Sequence, residues 1–121
     1  MKSENTKVTE EGSTTTVPKS QMHIILEIVE YVPDSIVCKT IIKNRNGKLS
    51  VVAFDKGEQF CETLSKSDIY VQIIEGKAAV IIKNKNHHLK LGQSIIIPVN
   101  TLHCFKADSK FKMISTIIKE S

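Results

Sequence analysis

The residues of this chain able to do chemistry are few and widely spaced: His103, the cysteines Cys38, Cys61 and Cys104, the hydroxyls Thr63 and Ser65, and the pair His87-His88. His103 ends the stretch GQSIIIPVNTLH, in which a glycine, a short apolar run and a proline fix the histidine's place. An imidazole titrates near neutrality, so it can act as a general base or orient a ligand by donating a hydrogen bond; it also serves as an ordinary histidine bonded to a neighbour. Positions 61, 63, 65 and 69 share one parity, so on extended backbone Cys61, Thr63, Ser65 and Ile69 share one face, while Glu62 and Asp68 face the other way. Thr63 and Ser65 read equally as ligand-bonding hydroxyls or as caps of local backbone. His87 and His88 are strand neighbours that point to opposite faces, which argues against chelation.

The elements that position these residues read as strands. Isoleucine and valine dominate the apolar content, and their branched Cβ suits a pleated surface. Period-two runs occur at Ile36 to Ile42, Leu49 to Phe54, Asp68 to Ile74, Ala78 to Lys83, His88 to Leu91, Ser94 to Ile97, Leu102 to Ala107 and Phe111 to Ile118. Breakers separate them, among them Asn46-Gly47, which is the dipeptide of a type I′ hairpin. Met22 to Val32 mixes helical and strand spacing and reads as a short helical turn leading in. Short strands with close-set turns and no long helix describe an all-β sandwich or barrel.

With 121 residues the chain holds one domain, expected over 21–121. Residues 1–20 are polar and predict a mobile tail, although Ser13 to Val17 is β-prone and suits pairing with a free sheet edge in a dimer. The net charge of +4 comes from scattered lysines, with Arg45 the only arginine, a pattern that argues against nucleic-acid binding. No apolar run suits a bilayer and Met1 to Gln21 lacks a signal-peptide core, so the expectation is a cytoplasmic protein without membrane attachment. Three cysteines without a CxxC pair predict free, buried thiols.

Two stretches carry a resemblance. Gly57 and Gly76 stand at the separation of the first motif of the cupin family, with Thr63, Ser65 and Ile69 where that motif has its two histidines and glutamate. Gly92, Pro98 and His103 match the second motif in register, while Asn100 replaces its second glycine and Ala107 its final asparagine. Together with AFDKGE, VQIIEGKAAV and IIIPVNTLHCFKA, the region from Ile36 to Ile118 resembles a small single-domain cupin of the RmlC-like, conserved-barrel type, with degenerate metal-binding motifs.

The resemblance implies a double-stranded β-helix, or jelly-roll, barrel and a homodimer. It also implies that the usual metal position holds hydroxyl, hydroxyl, sec-butyl and imidazole, a poor set for a divalent transition metal. The expectation is therefore no metal and no cofactor, and an unidentified small molecule bound among Cys61, Thr63, Ser65, Ile69, Val71, His103 and Phe105. Beside His103, Cys61 would suit a thiol nucleophile or a two-ligand metal site, but a structural thiol is the simpler assignment. Two alternatives accompany this reading: a metal-dependent or histidine-based cupin enzyme of the dioxygenase, isomerase or epimerase type, with no carboxylate of the right parity to orient His103, and a structural or sensory dimer with a filled barrel.

Overall fold

The structure is a computed structural model and describes residues 8–11, 17–62 and 65–119. Ten strands form two sheets: β1 (Val8–Glu11), β2 (Ile36–Asn44), β3 (Gly47–Phe54), β4 (Gln59–Glu62), β5 (Ile69–Glu75), β6 (Ala78–Ile82), β7 (Lys85–Leu89), β8 (Ser94–Ile97), β9 (His103–Lys106) and β10 (Phe111–Ile118). The larger sheet runs β1-β2-β3-β10-β5-β8 and the smaller β4-β9-β6-β7. All neighbours are antiparallel except β1 and β2, which pair in parallel. A single turn of 3₁₀ helix, Ile25–Glu27, precedes β2.

The alternation within β3 explains how the sheets are covered. Val52 and Phe54 point between the sheets and join Ile36, Val71, Ile73, Val80, Ile97 and Phe111 in the main core. Val51 and Ala53 point outward, yet they too are buried, beneath Val29 and the partly buried Ile25, Ile28 and Tyr31. A strand apolar on both faces needs a layer on each, and here the segment before β2 supplies the second one. Lys112 fastens it, donating from Nζ to the Leu26 carbonyl at 2.5 Å and lying 4.9 Å from the centre of the Tyr31 ring. The Tyr31 hydroxyl donates to Glu75 Oε1 at 2.6 Å. Burial first, then that bond and the charge of Glu75, hold the Tyr31 hydroxyl above the usual tyrosine range.

Turn chemistry departs from the sequence reading in one place. The β2–β3 hairpin turns at Arg45-Asn46, and Gly47 already belongs to β3, paired with Asn44. Gly47 is required there by proximity, since a Cβ would collide with the Ile117 carbonyl of β10. Consecutive residues with positive φ, as a type I′ turn demands, occur instead at Lys83 and Asn84 between β6 and β7. Asn100 has φ of 56°, a conformation asparagine tolerates better than most residues, and it stands where the second motif has a glycine.

The N-terminal segment, expected as a mobile tail, contains β1 against the edge of β2. Backbone pairing on a free edge requires no apolar side chain, which is why composition did not indicate it. The β-prone stretch from Ser13 lies outside the described residues up to Val17. Among the described residues no helix is long and apolar enough to cross a membrane.

Candidate functional site

Between the two sheets lies a cavity of about 270 Å³, open to solvent on one side, walled by Ile36, Val52, Phe54, Phe60, Ile69 and Phe105 among others and carrying His103 and Glu62 on the smaller sheet. His103 opens β9 and Glu62 closes β4, and the two are direct register partners. His103 is 1% exposed. Its Nδ1 lies 3.0 Å from the Thr101 carbonyl; a carbonyl only accepts, so Nδ1 carries a proton and donates. In the neutral ring Nε2 is then a bare acceptor. It has no hydrogen-bond partner, and Glu62 Oε1 stands 3.5 Å from it, beyond ordinary N–H···O reach. Glu62 is 43% exposed, so one end of the pair meets solvent while the other is sealed in. Phe105 packs edge-on to the imidazole, with centroids 5.7 Å apart.

The residues expected to form the site divide. Ile69, His103 and Phe105 line the cavity. Val71 is fully buried in the core without being among the cavity walls. Ser65 is buried in the turn after β4, where its hydroxyl donates to the Ser67 carbonyl at 2.6 Å, the local capping role. Thr63 lies outside the described residues. Cys61 is not in the cavity: it pairs with Cys104 across β4 and β9 and is disulfide-bonded to it. That corrects the expectation of free thiols at both positions. Cys38 stays outside the disulfide, on the cavity wall contributed by β2.

Residues 61–69 are not one extended run: β4 spans Gln59–Glu62, the described residues 65–68 are not strand, and β5 begins at Ile69 on the other sheet. Within β4, Phe60 and Glu62 face the cavity and Cys61 faces away, so the carboxylate expected to point outward is the one that meets His103. β4 itself was missed, because Gln59–Glu62 is short and polar. The alternating walls contributed by Ser50 and Ser115, register partners on β3 and β10, were also overlooked. Their parity with Val52 and Met113 was the available signal. Asp68, as expected, lies outside the cavity, where it accepts a hydrogen bond from the Val99 N–H at 2.8 Å.

The two packed sheets, with the buried imidazole of His103 among the cavity-lining residues, form a jelly-roll barrel. No family model matches the chain, and no curated protein does. Among solved structures, a conserved protein of unknown function from Streptococcus pyogenes, SPY1581, is 21% identical with a TM-score of 0.81, over 88% of this chain and 94% of that one. A cupin 2 conserved barrel domain protein from Leptotrichia buccalis is 27% identical with a TM-score of 0.74, over 78% of this chain and 46% of that longer one. A cupin superfamily protein from Desulfitobacterium hafniense is 16% identical with a TM-score of 0.80, over 88% and 97%. The chain has the fold of a small cupin barrel.

Cupin barrels imply a metal, and the donors among the described residues do not fit one. Ile69 offers no donor atom, the Ser65 hydroxyl is engaged by backbone, and Glu62 and His103 make two ligands where a stable site uses three or four. Among the described residues no group of three or more histidine, cysteine, aspartate or glutamate side chains gathers to hold an ion.

Proposed function

We propose that the domain binds a small molecule in the barrel, without a metal, through His103. The observation supporting this is His103, which lines the cavity and whose buried Nε2 has no hydrogen-bond partner, with Glu62 Oε1 3.5 Å away. A buried polar atom left unpaired costs roughly 1–3 kcal/mol, and a ligand that pairs it recovers that cost on binding. The cavity of about 270 Å³ is near the lower end of ordinary ligand pockets, and it argues against a barrel filled by its own side chains. Native mass spectrometry of untagged protein as purified tests the reading. A bound organic mass and far less than one equivalent of metal per chain is the expected result; a tightly held metal that disappears in His103→Ala would overturn it.

A second reading, histidine-based proton transfer of the isomerase or epimerase kind, is favoured by one observation, the carboxylate of Glu62 at 3.5 Å from Nε2. A carboxylate beside an imidazole stabilises the imidazolium formed when the ring takes a proton.

The proposal includes a cytoplasmic homodimer. In that compartment Cys61 and Cys104 would stand mainly as thiols. Support for pairing comes from Ile96 on the edge strand β8 and its cross-strand partner Tyr70 on β5, which are 61% and 38% exposed. Sedimentation showing a monomer at micromolar concentration would exclude it.

A further inference from the structure

We infer that the barrel selects a ligand of the phenol class: a small apolar ring with one hydroxyl that donates to His103 Nε2. The inference rests on the small-molecule reading above and narrows it.

The hydrogen-bond requirement comes first. The Thr101 carbonyl holds the Nδ1 proton, so in the neutral ring Nε2, on a residue that lines the cavity, is an acceptor, and its complement is a donor. Glu62 cannot supply one when ionised, because a carboxylate only accepts. Two acceptors therefore converge from 3.5 Å apart on the same end of the cavity. A carboxylate ligand placed there would face Glu62, a like charge in a partly desolvated site. A hydroxyl has the proton that the pair lacks. Lys48, near the start of β3, also lines the cavity, and an anionic probe is included in the test below.

The walls then choose the body of the ligand. Phe54, Phe60, Phe105, Ile69 and Met113 surround the space. Phe54 and Phe105 lie tilted with centroids 5.9 Å apart, and aromatic neighbours favour edge and offset contacts with a further ring. An apolar cavity of about 150 Å³ accepts benzene. The volume here, about 270 Å³, accommodates a single ring with a hydroxyl and a short substituent. A phenolic O–H is also a stronger donor than an aliphatic one, as its lower pKa, near 10, records.

The test titrates the full chain with phenol, toluene and benzoate, by calorimetry on wild type and on His103→Phe, and follows the ¹⁵N resonance of His103 Nε2 in the wild type. Phenol should bind at least tenfold more tightly than toluene, since pairing the lone acceptor separates them. The preference should vanish in His103→Phe while toluene binding persists, and the Nε2 resonance should move with phenol and not with toluene. Equal affinity for phenol and toluene, a preference that survives in His103→Phe, or benzoate as the tightest probe would each overturn the phenol assignment and leave the binding function standing. Failure of all three probes to bind would overturn the phenol assignment, while the binding function is decided by the native mass measurement. If His103→Phe does not fold, the wild-type Nε2 resonance decides: a phenol-specific shift supports the assignment and its absence defeats it.

Discussion

Cys61 and Cys104 are register partners on β4 and β9, and their disulfide sits one residue along from Glu62 and His103, which pair on the same two strands. The bridge faces away from the cavity while the acid and the imidazole face into it. In the oxidised form a covalent tie thus holds together the two strands whose alignment sets the Glu62–His103 spacing.

That tie should be measurable as stability. It closes a loop with a sequence separation of 43, for which chain entropy gives about 4 kcal/mol, and measured effects are commonly about 2–4 kcal/mol. Urea unfolding of oxidised protein against Cys61→Ser/Cys104→Ser should show a lower midpoint for the double variant. An unchanged midpoint, with only Cys38 reactive to a thiol reagent in the oxidised form, would show that the two strands are held without the bridge.

His103 should be nearly neutral, or costly, for folding. Its Nδ1 bond to Thr101 contributes about 1 kcal/mol, whereas burying Nε2 without a partner costs about 1–3 kcal/mol. His103→Leu removes both and keeps an apolar side chain in the barrel. The variant should therefore unfold at the same denaturant concentration as wild type or a higher one. A loss above about 2 kcal/mol would mean that Nε2 contributes to stability in the unliganded protein.

The fold was legible because period-two patterning reports directly on which face a strand buries. β3, β5, β6, β8, β9 and β10 all lie where Val, Ile and Phe alternate or crowd. His103 was legible for a similar reason, as a lone imidazole following Gly92 and Pro98. The remaining half of the site was not. β4 offers only Phe60 and Cys61 as apolar residues, and its parity depends on where the strand stops, which pairing with β9 decides and local sequence does not. The disulfide was hidden by the same fact, since Cys61 and Cys104 meet through register 43 positions apart. Tertiary pairing determines both.

Gly76 should tolerate no side chain. Its φ is 75°, and a Cβ there would collide with the Lys110 carbonyl just before β10. Both the left-handed conformation and the close approach penalise alanine, and strain of this kind costs about 1–3 kcal/mol for the backbone alone. Gly76→Ala should lower the unfolding free energy by at least about 1 kcal/mol, read as a lower unfolding midpoint. A variant as stable as wild type would show that the β5–β6 turn can shift away from β10.

The clamp around Tyr31 predicts a stability loss at alkaline pH. The folded protein holds the Tyr31 hydroxyl above the usual tyrosine range through burial and its bond to Glu75, whereas the unfolded chain releases that proton near pH 10. Below that pH both states keep the proton and the contribution is fully present. Above it the native state binds more protons than the unfolded state, so rising pH favours unfolding until the folded group also titrates. Lysines titrate in the same window, so the informative quantity is the difference between wild type and Tyr31→Phe. At neutral pH the variant should lose about 1 kcal/mol, the worth of one hydrogen bond, and from about pH 10 upward its stability should fall less steeply than that of wild type. Parallel curves across that range would show that Tyr31 ionises as readily folded as unfolded, and that the contact with Glu75 does not hold the segment before β2 in place.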